Sequence, residues 1–181
     1  MKQIYIFLVC LFASISMNAQ DKVMTIDNQT PGWLSSKMTY TQQVAVENLT
    51  ITGYINPTDM EFINGLIGKR ILKVLNLYNA VTIDKDNNDY KLWGNFINAN
   101  KALQKLTLPK VFKGGVSFKT EIDSLFLICH RDTRISGNIK HMILMEGTDT
   151  ISSGFYCDTE GSFFLNVSEF PKSLRVIESE F

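Results

Sequence analysis

Leu72-Lys73-Val74-Leu75-Asn76-Leu77 and Leu103-Gln104-Lys105-Leu106-Thr107-Leu108 are one phrase written twice, with leucine at the first, fourth and sixth places. The same apolar spacing recurs at Val46/Leu49/Ile51, Ile122/Leu125/Leu127 and Ile139/Met142/Leu144. A sixth copy, Leu165/Ser168/Phe170, keeps the first and last places and puts a serine between them. In a strand alternate side chains point the same way, so the fourth and sixth places of each copy face one interior. A single short strand of this kind buries little by itself. The copies begin at Val46, Leu72, Leu103, Ile122, Ile139 and Leu165, so their intervals are uneven and shortest on either side of Ile122. They bury a common core by stacking as successive coils, about 4.7–4.9 Å apart. The expected class is an α/β solenoid of parallel strands.

Secondary agreements support the alignment. The third and sixth copies are each followed by proline, Pro109 and Pro171. Ile151 stands beyond Leu144 at the same offset as Ile177 beyond Phe170. Each opens a similar phrase, Ile151-Ser152-Ser153-Gly154-Phe155 and Ile177-Glu178-Ser179-Glu180-Phe181, expected to fill the core from the return side. Nearer the N-terminus, Asn56-Pro57-Thr58-Asp59-Met60-Glu61 reads as a helix start, with proline in the first turn and Thr58/Glu61 at capping-box spacing. Phe62, Ile63 and Leu66 supply its apolar side, and Gly65 and Gly68 mark its stop. Pro31 to Met38 reads as a second short helix. This helical segment, carrying Trp33 and Phe62, is expected to cover the first open end of the stack. Residues 20–70 therefore form an N-terminal cap with the first strand, and 71–181 the coils, with Asp84 to Tyr90 a loop lengthening the second. The competing arrangement is an unrelated α+β domain with leucine-rich strands.

The chain of 181 residues, 45% hydrophobic and 20% charged, suits one globular domain or a short repeat array. Lys plus Arg and Asp plus Glu balance at 18 each, which leaves no basic excess for nucleic acid. Lys2, the apolar run Ile4–Ile15 broken by Ser14, and the approach to Ala19-Gln20 form a secretory signal peptide over residues 1–19. That run is shorter than the roughly 20 residues a membrane-spanning helix needs, and no later stretch is long and apolar enough. The product is expected to be exported, to the cell surface or beyond it, with no transmembrane segment. Cys129 and Cys157 then remain, able to form one disulfide or to serve as small apolar fillers.

The stretches Leu49-Thr50-Ile51-Thr52-Gly53-Tyr54, Leu72 to Ala80, Leu103 to Pro109 and Phe170 to Ile177 give the chain a likeness over roughly residues 30–181. It resembles the BspA-like leucine-rich-repeat surface proteins, found widely in gut and oral bacteria. The resemblance implies a leucine-rich-repeat right-handed coil with a helical N-terminal cap, used in surface recognition or adhesion rather than catalysis. It is strongest over 44–83 and 139–181. Coil lengths across 84–125 are irregular, and family members usually run on into further repeats or an anchor where this sequence reaches Phe181. A shortened member is what the resemblance implies. Cysteine often follows such a phenylalanine in the family, as Cys157 follows Phe155, which favours the filler role.

Among candidate sites, Asp84-Lys85-Asp86-Asn87-Asn88 matches the first three ligand positions of an EF-hand loop. Asp89 stands where the turn needs glycine and Asn95 where a bidentate glutamate is wanted, so a solvated loop is expected. His130 and His141 have no metal-ligand spacing. No Gly-x-Ser-x-Gly elbow or phosphate-cradling loop is written, and Gly114-Gly115 reads as an isolated turn. No catalytic residue, metal or cofactor is expected.

Stacking has a sharper consequence outside the coil. Asn76, Thr107, Phe126 and Ile143 fall side by side in one outward row, and Tyr78, Pro109, Ile128 and Met145 in the next. Asn76, Tyr78, Phe126, Ile128, Ile143 and Met145 are thus the candidate partner-binding residues, an exposed patch of the kind that marks partner sites. Another segment covering them, or a flipped fourth strand (Ile122 to Cys129 is apolar on both faces), would remove the patch. The function expected is an exported, non-catalytic binding or adhesion module taking a protein or glycan at the cell surface, with self-association through the C-terminal edge open to it. The alternatives are a small secreted α+β enzyme or accessory subunit, and a remnant that folds poorly.

Overall fold

The computed structural model describes residues 22–83, 102–111, 114–130, 133–151, 155–156 and 171–177. The leader expected over 1–19, the Asp84–Asn88 loop, Cys157 and the sixth copy lie outside these residues. The described elements begin with β1 (Val23–Asn28), a 3-10 turn (Leu34–Lys37), α1 (Tyr40–Ala45), β2 (Asn48–Ile55) and α2 (Pro57–Gly68). They continue through β3 (Val74–Asn76), β4 (Ala80–Thr82), β5 (Lys105–Thr107), β6 (Gly114–Leu127) and β7 (Thr133–Leu144). The last are β8 (Thr150–Ile151), β9 (Phe155–Tyr156) and β10 (Val176–Ile177).

The result is an α/β-like arrangement with few helices, built on an open parallel sheet in the order β1-β2-β3-β5-β6-β7-β9. β4 joins the second half of β2, and β8 pairs with β10 in a separate parallel ribbon. Leu49, Leu75, Leu106, Leu125 and Met142 stand opposite one another across five strands. Every residue of the first five apolar triplets is buried, at 0% to 7% exposure. Each such aliphatic side chain contributes about 1.5–3 kcal/mol when fully buried, whereas an exposed ion pair contributes about 1 kcal/mol at most. The inner ladder, not the surface charge, holds the sheet. Ile151 and Ile177, aligned in the sequence by a shared offset, are direct partners in the β8–β10 ribbon.

Contrary to expectation, the strands are not uniformly short. β6 and β7 run for 14 and 12 residues and pair twice. Gly114–Phe118 lies against Thr133–Gly137, the register shifts between Phe118 and Ile122, and Ile122–Leu127 then lies against Ile139–Leu144. Gly114 and Gly115 therefore start a strand rather than an isolated turn. Val116, Phe118 and Ile135 are buried from this first leg, and β9 extends it alongside Ile135–Ser136. The two shortest intervals, Leu103 to Ile122 and Ile122 to Ile139, leave no room for a helix on the way back. The chain returns as strand.

The N-terminal end is built differently. α2 buries Met60, Ile63, Leu66 and Ile67, spaced to share one helix face. Its capping box is Asn56/Asp59, not the expected Thr58/Glu61. Pro57 occupies the first helical position, which makes the residue before it the cap. Trp33, expected to cover the open end, is 63% exposed, and Leu34 beside it is the fully buried residue. The edge at this end is β1, a strand outside the triplet pattern whose Met24 and Ile26 pair with Leu49 and Ile51.

A buried polar knot ties these pieces together. The Asp59 carboxylate accepts from the backbone N–H groups of Gly32 (2.7 Å), Leu34 (3.0 Å) and Asn56 (3.1 Å) and from the Asn28 amide (3.2 Å). One side chain thus satisfies both the helix start and the 3-10 segment. Beside it β1 and β2 approach so closely at Gly53 (φ 80°) that a Cβ there would lie 2.6 Å from the Asn28 carbonyl oxygen. Only glycine fits. Among the described residues no helix is long and apolar enough to cross a membrane.

Candidate partner-binding face

The register that buries the leucines fixes what stands outside them. Thr25, Thr50, Asn76, Thr107, Phe126 and Ile143 are consecutive partners across six strands. Backbone bonds from Leu77 to Thr107, Leu108 to Phe126, Lys110 to Tyr78 and Met145 to Leu127 carry the ladder past the strand ends. Tyr78, Pro109, Ile128 and Met145 therefore form the next row. The fourth strand is not flipped, since Ile122, Leu125 and Leu127 are all at 0% exposure while Phe126 is half-buried.

Five of the six candidate residues, Asn76, Tyr78, Phe126, Ile143 and Met145, are partly open to solvent. Ile128 is not. It is 2% exposed, with its side chain packed under the turn at Gly147 (φ 106°), where a Cβ would meet Ile128 Cδ1 at 3.2 Å. Pro109 is buried in the same row. The expected six-residue patch is therefore narrower, and Ile128 belongs to its floor. Asn76 also has a local task. Its Oδ1 accepts the Tyr78 N–H at 3.0 Å and so closes the turn after β3.

Charge borders the face at the starts of β1, β2 and β3 and of the second legs of β6 and β7. Glu47 holds Lys22 at 2.9 Å and Lys73 at 2.7 Å, and Lys140 holds Asp123 at 2.8 Å. The two lysines beside Glu47 keep its carboxyl down at about 2. At the β1 end, the Gln29 amide and the Thr52 hydroxyl donate to Asp27 and lower its carboxyl below the ordinary value. Lys105 differs from these lysines. Its Nζ lies 4.2 Å from the centroid of the Phe126 ring, one strand across and two places along, a diagonal neighbour on the same face. The sequence ladder passes over Lys105, although it stands where the other copies have Asn48, Val74, Ser124 and His141.

The remaining reactive groups lie behind this face or at its margin. Cys129 is a free thiol, buried, and its pKa is pushed up to about 12 by burial and by the Asp149 carboxylate. A thiol so displaced is a packing group, the opposite of an activated nucleophile. His130 Nδ1 faces Asp149 at 3.4 Å on the surface, and His141 is exposed on the outer face in the row of Lys105. Among the described residues no three His, Cys, Asp or Glu side chains converge as metal ligands. In comparisons with known proteins no family model, no curated protein and no solved structure matches the chain.

Proposed function

We propose that this chain is an exported binding module of the BspA-like leucine-rich-repeat kind, a capped right-handed coil that takes a protein or glycan partner on the outer face of its sheet. The observation that carries this reading is the unbroken parallel register of five aliphatic triplets. That register holds Asn76, Phe126 and Ile143 in one outward row, with the buried Thr107 between the first two. A rigid scaffold presenting evenly spaced side chains is what recognition demands, because little ordering cost is left for the moment of binding. The partly exposed Phe126, Ile143, Met145 and Tyr78 supply the apolar contact that anchors such complexes.

The test is a binding screen of the chain against extracellular matrix proteins and a glycan array, repeated with Phe126→Ser/Ile143→Ser. A ligand bound by the native chain and lost by a double variant that melts at the same temperature supports the module. Loss of the fold in that variant, with no ligand for the native chain, returns Phe126 and Ile143 to the core and removes the proposal.

A further inference from the structure

Four lysines stand along the outer border of the sheet, and three of them touch a carboxylate. Lys22 and Lys73 share Glu47, and Lys140 is paired with Asp123. Lys105 has no carboxylate partner among the described residues. Its ammonium rests on the Phe126 ring instead. An ammonium held over an arene has given up part of its water for an attraction of about 0.5–1 kcal/mol, less than a charge-assisted hydrogen bond provides. It is poised to take an anion.

We infer that the ligand of this face is an acidic saccharide, with a carboxylate on Lys105 Nζ and the C–H face of its ring on Phe126 and Ile143. This rests on the outward-face reading above and narrows it to one class. The row running away from Phe126 passes Thr107, which is buried, and continues as the more open polar side chains of Asn76, Thr50 and Thr25, one per strand. Strand spacing sets these groups about 4.7–4.9 Å apart, close to the rise of one unit in an extended β-linked glycan. Asn76 spends its carbonyl on the Tyr78 N–H, which leaves its amide N–H groups to donate to sugar hydroxyls. Charge orients the chain, because Asp27 at the far end of the face repels the carboxylate that Lys105 attracts. A protein partner fits less well. The cores of protein interfaces are depleted of lysine, and an apolar partner would bury the Lys105 charge unpaired. An acidic peptide carries its carboxylates on flexible stems, without a flat ring to match the arene.

The experiment is titration of the full chain with a hyaluronan hexasaccharide, with the same oligosaccharide after reduction of its carboxyl groups, and with oligo-glutamate, in low and in physiological salt. Binding of the acid form is expected, about tenfold weaker after carboxyl reduction and about tenfold weaker in Lys105→Gln. Lys105→Arg should retain it, and Phe126→Leu should weaken it in both salts, with melting temperatures unchanged in all three variants. Equal binding of the acidic and reduced forms, indifference to Lys105→Gln, tighter binding of oligo-glutamate, or no binding of the acid form each overturns the inference. Failure here together with a matrix protein lost on Phe126→Ser/Ile143→Ser would leave the binding module standing with a protein as its ligand. Failure of both would remove the module itself.

Discussion

The two ends of this sheet share one inner ladder and reach it by different routes. Between the triplets that open at Val46 and Leu72, the chain leaves β2 and comes back through the 12-residue helix α2. Between those that open at Ile122 and Ile139, a much shorter interval, it comes back as a second strand leg, Thr133–Gly137 laid on Gly114–Phe118. The outer faces differ in the same direction. Thr25, Thr50, Thr52 and Asn76 face out from the N-terminal strands, and Phe126, Ile143 and Met145 from the C-terminal ones. The lesson is that the leucine spacing fixes the front of each coil, while the length of the interval decides what backs it. A helix needs room for its diameter of about 10–12 Å, and a strand leg does not.

The largest effect expected from breaking this arrangement is at the N-terminal end, where a helix, a 3-10 turn and an edge strand converge. Gly53→Ala introduces a Cβ 2.6 Å from a backbone oxygen at a residue with φ 80°. It should cost about 4 kcal/mol in urea unfolding, from left-handed strain and overpacking together. A loss below about 1 kcal/mol would mean that β1 is not seated on β2 as described. The next effect separates the inside of the C-terminal end from its outside. Leu125→Ala, at 0% exposure, should cost about 3 kcal/mol, and Phe126→Ala less than about 1 kcal/mol. Equal costs for these neighbours would make Phe126 a core residue and end the case for the outer face.

A smaller change runs in the stabilising direction. Gly65 lies inside α2 with nothing within 4 Å of the Cβ it would gain. Gly65→Ala should raise stability by about 0.5–1 kcal/mol, seen as a higher urea midpoint. The matching change among the strand-backed coils, Gly147→Ala, should lower it, because that glycine sits at φ 106° over Ile128. Opposite signs at the two glycines would show that helix and turn impose different demands on the same residue type.

These contrasts also mark how far the sequence could be read. The triplets are legible because apolar side chains at a fixed spacing have one cheap solution, and all of the described ones are buried. β1 escapes the template for a definite reason. Its Met24 and Ile26 pair with Leu49 and Ile51, but Asp21 stands at the place that should be apolar, so the triplet fails at its first position. The first legs of β6 and β7 lie inside the two shortest intervals, where the spacing of triplets says nothing of what fills the return path. On the candidate face, the rows are legible from register alone. The burial of Ile128 is not, because it depends on the turn at Gly147 folding back, a tertiary choice that local pattern does not encode. The Lys105–Phe126 contact joins residues that stand between the apolar places of two different copies. It emerges only when β5 is laid against β6.

The smallest expected effect tests the border rather than the core. Glu47 bridges β1 and β3 through Lys22 and Lys73, and its carboxyl is held near 2 against an ordinary value of 4.5. Because the folded value is the lower one, the clamp stabilises the protein fully above pH 4.5 and is lost as pH falls from 4.5 toward 2. The group sits at the surface, so salt weakens the clamp and its contribution stays small. Urea midpoints of the native chain and of Glu47→Gln should therefore differ at pH 7 in low salt and converge at pH 2 or in high salt. A gap that survives both conditions would show that Glu47 acts by packing across the strand starts. The charged border would then be a consequence of the register and not one of its supports.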